Sequence, residues 1–163
     1  MKILRIITAA TAISILFGMF FGVSYIMGRS MEPNVHEGDL ALFFRGVREY
    51  RRDDVVIINR DSDRDFAIKR IVGVPGDTID IKSDTKELII NGERQQQSEY
   101  LEIAYAKEEG ITYPLTLGEN EYFVIGDNRP VSWDSRNYGR VTVDEIVGRT
   151  IVVVHNNFGG LSW

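Results

Sequence analysis

Three stretches of the chain carry side chains whose types can do chemistry together. Ser30 stands in Gly28-Arg29-Ser30-Met31-Glu32-Pro33, a turn-like sequence directly after a long apolar run. Lys69 stands in Phe66–Val74, between Ile68 and Arg70-Ile71-Val72, in a run otherwise suited to a buried strand. The third stretch is Gly126-Asp127-Asn128-Arg129-Pro130-Val131-Ser132-Trp133-Asp134-Ser135-Arg136, with Gly139 shortly after it. A serine hydroxyl becomes a nucleophile when a nearby base takes its proton, and a neutral lysine amine can be that base. Side chains alternate faces along a strand, so Lys69 and Arg70 point opposite ways and one of the two cations should turn inward. A desolvated lysine gives up its proton far more readily than an arginine.

Each piece also has a plainer reading. Lys69 can snorkel from a strand edge, Ser30 can be a turn serine, and the third stretch can be a charged turn closed by its own ion pairs. His36 and His155 are open to a catalytic role or to surface packing, and they supply no obvious triad.

The elements that must position these residues follow from composition and pattern. The 163 residues suffice for one domain with an attachment, and 44% hydrophobic with 26% charged residues is ordinary for a globular body. The net charge of −5 gives no basic footprint for nucleic acid. Arg45, Arg48, Arg51 and Arg52 do cluster, as a solvated loop or as a contact for anionic lipid. The absence of cysteine excludes a disulfide scaffold, a zinc-thiolate site and cysteine catalysis.

From Ile6 to Gly28 no charged residue occurs, a length that as a helix crosses a hydrocarbon core of about 30 Å. Lys2 and Arg5 precede it, so the positive-inside rule puts the N-terminus in the cytoplasm and the rest outside. A cleaved secretory signal has an apolar core of only about 7–15 residues and a small-x-small site, and this run is longer and lacks a good Ala-x-Ala. The expected organisation is therefore a cytoplasmic start and single transmembrane anchor over 1–28, and an extracytoplasmic β-rich domain over 29–163.

Strands are expected at Asp39–Phe44, Val55–Asn59, Phe66–Val74, Thr78–Ile81, Leu88–Asn91, Tyr122–Ile125 and Ile146–Val154, with Asn91-Gly92 as a hairpin turn. One short helical turn is expected near Thr142–Ile146. Ser98–Asn120 reads as a long connection or small insertion, and the tail His155–Trp163 packs on the body or dips into the membrane interface. The fold class is mostly β: an antiparallel β-sheet catalytic body with one N-terminal transmembrane helix.

Taken together, the stretches resemble the bacterial type I signal peptidases, membrane-anchored Ser/Lys proteases that remove signal peptides from exported proteins. The matches run in that family's order from Ser-Met-x-Pro at Ser30, through Gly38-Asp39 and Lys69-Arg70-x-Val-Gly-x-Pro-Gly-Asp77, to Gly126-Asp-Asn-Arg-x-x-Ser132-x-Asp134-Ser-Arg136-x-x-Gly139. The resemblance implies Ser30 as nucleophile, Lys69 as general base and Ser132 as the hydroxyl that orients the amine. It implies Asp134 and Arg136 as a supporting charged pair, and the Ser30 backbone N–H as an oxyanion donor. Gly28 departs from relatives that carry a second donor hydroxyl there, and Pro130-Val131 stands where Asp-Asn is common.

Met31 and Ile68 are expected either to line shallow pockets for the small substrate side chains or to pack in the core. The implied partners are preprotein signal peptides bound as an extended strand, membrane lipid and, by proximity, the export machinery. No metal or cofactor is implied. Two other readings stand beside it: a processing peptidase dedicated to one secreted or pilin-like substrate, and an inactive membrane-tethered peptide-binding β-domain.

Overall fold

The computed structural model describes residues 2–60, 66–82, 87–95 and 111–156. Residues 98–110 of the expected long connection lie outside it, as does the tail from residue 157 with Phe158, Leu161 and Trp163.

Helix α1 (Lys2–Phe20) is followed without a break by strand β1 (Phe21–Tyr25). The helix ends eight residues short of the apolar run expected to be helical as far as Gly28. Its 19 residues rise about 28 Å, close to the thickness of a hydrocarbon core. No residue of α1 is buried against the body, and its length and composition are those of a membrane-crossing helix. The apolar residues beyond it serve a sheet instead: Phe21, Val23 and Tyr25 pair with Phe44, Leu42 and Leu40 of β2 (Leu40–Phe44). Aromatic and β-branched side chains suit such pairing as well as they suit a membrane.

The remaining strands are β3 (Val55–Ile58), β4 (Ala67–Gly73), β5 (Thr78–Ile81), β6 (Leu88–Ile90), β7 (Glu93–Arg94), β8 (Leu115–Thr116), β9 (Glu121–Ile125), β10 (Val141–Thr142) and β11 (Ile146–Val154). They form a seven-stranded sheet in the order β1-β2-β11-β3-β4-β9-β10 and a four-stranded sheet in the order β7-β6-β5-β8, with every pairing antiparallel. The Asn91-Gly92 turn joins β6 to β7 as expected, with φ of 54° and 81° at the two residues. The helical turn expected near Thr142–Ile146 is a 3₁₀ turn at Val143–Glu145.

Strand β9 shows why the core is legible as continuous apolar runs. Tyr122 and Val124 face one cluster with Val56, Ile58, Ile71, Val141 and Ile146. Phe123 and Ile125 face a second with Ile79, Ile81, Leu88, Ile90 and Leu117, which joins the two sheets. Each such side chain, removed from water, contributes about 1.5–3 kcal/mol. A third cluster gathers Ile26, Met31, Val35, Ala41, Phe43, Ile57 and Ile68. This last one matters for chemistry, because it lies under the loop that carries Ser30.

Candidate active site

Ser30 lies in the loop between β1 and β2. That loop is closed at its base by Ile26 N–H donating to Asp39 O and Gly38 N–H donating to Ile26 O, both at 2.9 Å. At its tip the N–H groups of Asn34 and Val35 donate to Met31 O at 3.0 Å, making a compact turn. Met31 and Val35 are buried and pin the turn to the third cluster. Gly28, just before the nucleophile candidate, has φ of +86°, a conformation that favours glycine. The missing hydroxyl at that position thus has a backbone reason.

Lys69 sits mid-strand in β4, opposite Val56 of β3. It is 4% exposed, and its Nζ lies 2.9 Å from Ser30 Oγ and donates to Ile68 O at 2.9 Å. Of the two adjacent cations it is Lys69 that turns inward to the serine. Arg70, on the other face, is half-buried against Asp127, with Nε–Oδ1 at 2.8 Å and Nη2–Oδ2 at 2.6 Å. Asn34 Nδ2 donates to the same carboxylate at 2.8 Å. Asp127 therefore joins the Ser30 turn, β4 and the third stretch at one point. Composition gave no signal for this pairing, since its members are 57 and 93 residues apart.

The third stretch leaves β9 at Gly126 and folds back over the serine loop. Asn128 N–H donates to Ser30 O at 2.9 Å and its side-chain amide donates to Arg29 O at 3.0 Å. Gly126 is the point of closest approach. A Cβ there would collide with both Ser132 Oγ and the Ser30 carbonyl oxygen. Ser132 is wholly buried beside it.

Asp134 caps the short helix α2 (Ser135–Tyr138) by accepting from Arg136 N–H, while Asn137 Oδ1 accepts from Asp134 N–H. This one-turn helix was not foreseen, although Asp-Ser-Arg-Asn is an N-cap pattern. The Asp134 and Arg136 side chains are both fully buried and pair at 2.7 and 2.8 Å. Asp134 also accepts from Gly126 N–H at 3.0 Å, and Arg136 donates to Arg129 O at 2.8 Å. Burial works against the charge on Asp134, but Arg136, the Ser132 hydroxyl and the Gly126 amide outweigh it and hold the carboxyl below its ordinary range. The charged-turn reading and the site reading thus coincide, because the buried pair is what shapes the turn that meets Ser30.

Met31 and Ile68, expected as pocket lining or core, are 1% and 6% exposed and pack in the third cluster beneath the Ser30–Lys69 contact. His36 and His155 converge on Asp39, at 3.9 and 2.8 Å from its Oδ2. Burial opposes the charge of Asp39, and the amides of His36 and Asn156 together with the His155 ring overcome it and keep its carboxyl below the usual value. In the arginine cluster, Arg52 pairs with the buried Asp77 at 2.6 Å, Arg48 with exposed Asp144 at 3.5 Å, and Arg45 stacks over the Phe43 ring.

Comparisons with known proteins place the chain in a family. The family model "Signal peptidase, peptidase S26" matches residues 1–155. The chain is 36% identical over 143 residues to a signal peptidase I of Bacillus licheniformis, covering 82% of this chain and 76% of that protein. It is 34% identical to signal peptidase I T of Bacillus subtilis, covering 88% and 79%, and 34% identical to signal peptidase IB of Staphylococcus aureus, covering 88% and 84%. A crystal structure of a signal peptidase I from Enterococcus faecalis matches with a TM-score of 0.50 at 27% identity, covering 64% of this chain and 98% of that one.

Proposed function

Since the chain belongs to the signal peptidase family, peptidase S26, we propose that Ser30 and Lys69 are the dyad through which it cuts signal peptides from preproteins. Its function is that of a signal peptidase I, a serine endopeptidase. The observation that carries the dyad is the 2.9 Å separation of Ser30 Oγ and Lys69 Nζ, with the lysine 4% exposed.

The proposed mechanism starts from a neutral Lys69 amine, the form that burial favours. One amine N–H is held by Ile68 O, which aims the lone pair at the Ser30 hydroxyl. Ser30 Oγ attacks the scissile carbonyl carbon as its proton passes to Lys69. The oxyanion rests on the Ser30 backbone N–H. Lys69 returns the proton to the leaving amine, the C–N bond breaks and the mature protein departs, leaving an ester on Ser30. Water then attacks the ester, giving one proton to Lys69, which passes it to the departing Ser30 oxygen, and the signal peptide leaves as a carboxylic acid that loses its proton to water.

Ser132, buried beside Gly126, is assigned the orientation of the amine. Asp134 and Arg136 are assigned the support of the turn. Met31 and Ile68 are assigned the apolar floor over which the small substrate side chains settle. We place the N-terminus in the cytoplasm, α1 in the cytoplasmic membrane and the β body outside it, where membrane lipid and the export machinery are its neighbours. In this arrangement residues 1–28 are the start and anchor, and 29–163 are the peptidase domain.

The test is preprotein cleavage by the full chain in detergent. Ser30→Ala and Lys69→Met should each abolish cleavage while leaving thermal unfolding close to wild type. Substantial activity in either variant would sink the dyad. The ascending limb of the pH–rate profile should belong to Lys69, as general-base catalysis requires.

A further inference from the structure

The sequence holds two histidines and no cysteine. Both histidines, 119 residues apart in the chain, reach the same buried carboxylate, Asp39. The nitrogen and oxygen atoms that His36, Asp39 and His155 can offer lie within 4.8 Å of one another. His155 Nδ1 is 2.8 Å from Asp39 Oδ2, His36 Nδ1 is 3.9 Å from it, and the two rings meet edge to face with centroids 6.0 Å apart.

We propose that His36, Asp39 and His155 form a binding site for one divalent transition-metal ion of the zinc class. Imidazole and carboxylate ligands around zinc at about 2.0–2.2 Å stand roughly 3.3 Å apart in a tetrahedron. The two observed separations bracket that spacing. The carboxylate is held ready: Asp39 Oδ1 accepts from Asn156 N–H at 2.9 Å and Oδ2 from His36 N–H at 2.8 Å, so its orientation does not depend on the ion. The rings are half-exposed, with side chains 53% and 51% accessible, so small torsional changes close the set. A cleft of about 430 Å³ lined by Pro33, Asn34, His36, Glu37, Asp39 and His155 opens beside them, leaving room for water as a fourth ligand. Two imidazoles select against calcium and magnesium, which take oxygen ligands.

The role is structural. His36 belongs to the loop that carries Ser30, and His155 follows β11 directly. A bound ion would fasten that loop to the end of the large sheet, adding stability as ligand binding to the native state does.

Cobalt(II) is the probe, because tetrahedral nitrogen–oxygen coordination gives it a strong visible absorption that the hydrated ion lacks. Untagged full-length protein in detergent should develop this band, saturating at one equivalent, and zinc should displace it. His36→Ala and His155→Ala should each weaken cobalt binding by at least about tenfold. The metal-free melting temperature of His36→Ala should stay near wild type, since its half-exposed ring makes no hydrogen bond to Asp39, whereas His155→Ala should lower it by removing a partner of that carboxylate. Zinc should raise the melting temperature of the wild type and not of the variants. No band in the wild type, or a band that survives both substitutions, overturns the site.

Discussion

Gly126→Ala is the most direct test of how the third stretch serves the proposed Ser30–Lys69 dyad. The added methyl would meet Ser132 Oγ on one side and the Ser30 carbonyl on the other. The Ser132 hydroxyl can rotate away, but Ser132 Cβ and the Ser30 carbonyl oxygen cannot move without their residues. To restore ordinary contact the Ser30 backbone must retreat by about 1 Å, a displacement that at a reacting centre costs on the order of 100-fold in rate. The same intrusion into a close-packed interior costs about 1–3 kcal/mol of stability. For a chain of this size that lowers the melting temperature by about 2–12 °C.

The two effects are separable. Cleavage is measured well below the variant's melting temperature, with a preprotein and with a serine-directed acylating inhibitor. The inhibitor reports Ser30 reactivity independently of substrate docking. The expected result is a loss of about two decades in both rates, with the fold retained. Acylation within threefold of wild type, alongside a clear drop in melting temperature, would refute the coupling. The methyl would then have been absorbed on the Ser132 side.

Arg136→Leu leaves Asp134 charged and fully buried without its partner, and should cost about 3–5 kcal/mol by chemical denaturation; the Asp134→Asn/Arg136→Leu double variant should recover part of that loss. Acid should unfold the protein steeply. Asp39, Asp77 and Asp134 all have folded values below the ordinary carboxylate value, burial of each being outweighed by its hydrogen-bonded partners. Their stabilisation is present in full above about pH 4 and is lost as pH falls through the lower folded values. Asp77→Asn, which removes the Arg52 partner, should flatten that slope in unfolding free energy between pH 4 and 2.

The strands were legible because most are apolar runs bounded by turn residues. β3 and Tyr122–Ile125 of β9 read as unbroken hydrophobic segments, and β4 does so but for Lys69 and Arg70. The inward lysine was legible for the same reason, as a cation out of place in such a run. The end of α1 was not. Phe21-Gly22-Val23-Ser24-Tyr25 continues the apolar composition of the helix, and only its partner β2 makes it a strand. Nor was the frame around the dyad. Asp127 with Arg70 and Asn34, and Asp39 with His155, join residues brought together by topology alone. α2 carries its own capping signal, but a single turn is too short for periodicity to reveal.

The passage from α1 into β1 without a connecting loop has a mechanical consequence. Phe17 stacks on Phe21 across the junction at 4.5 Å, Arg45 N–H donates to Phe20 O at 2.7 Å, and β1 is laced to β2 along its whole length. With α1 as the membrane anchor, no flexible linker separates the body from the helix. The height of Ser30 above the bilayer would be set by the length of β1 and the loop that follows it. In the orientation proposed above, the distance from the lipid at which a substrate chain meets Ser30 would then follow from that short stretch of chain.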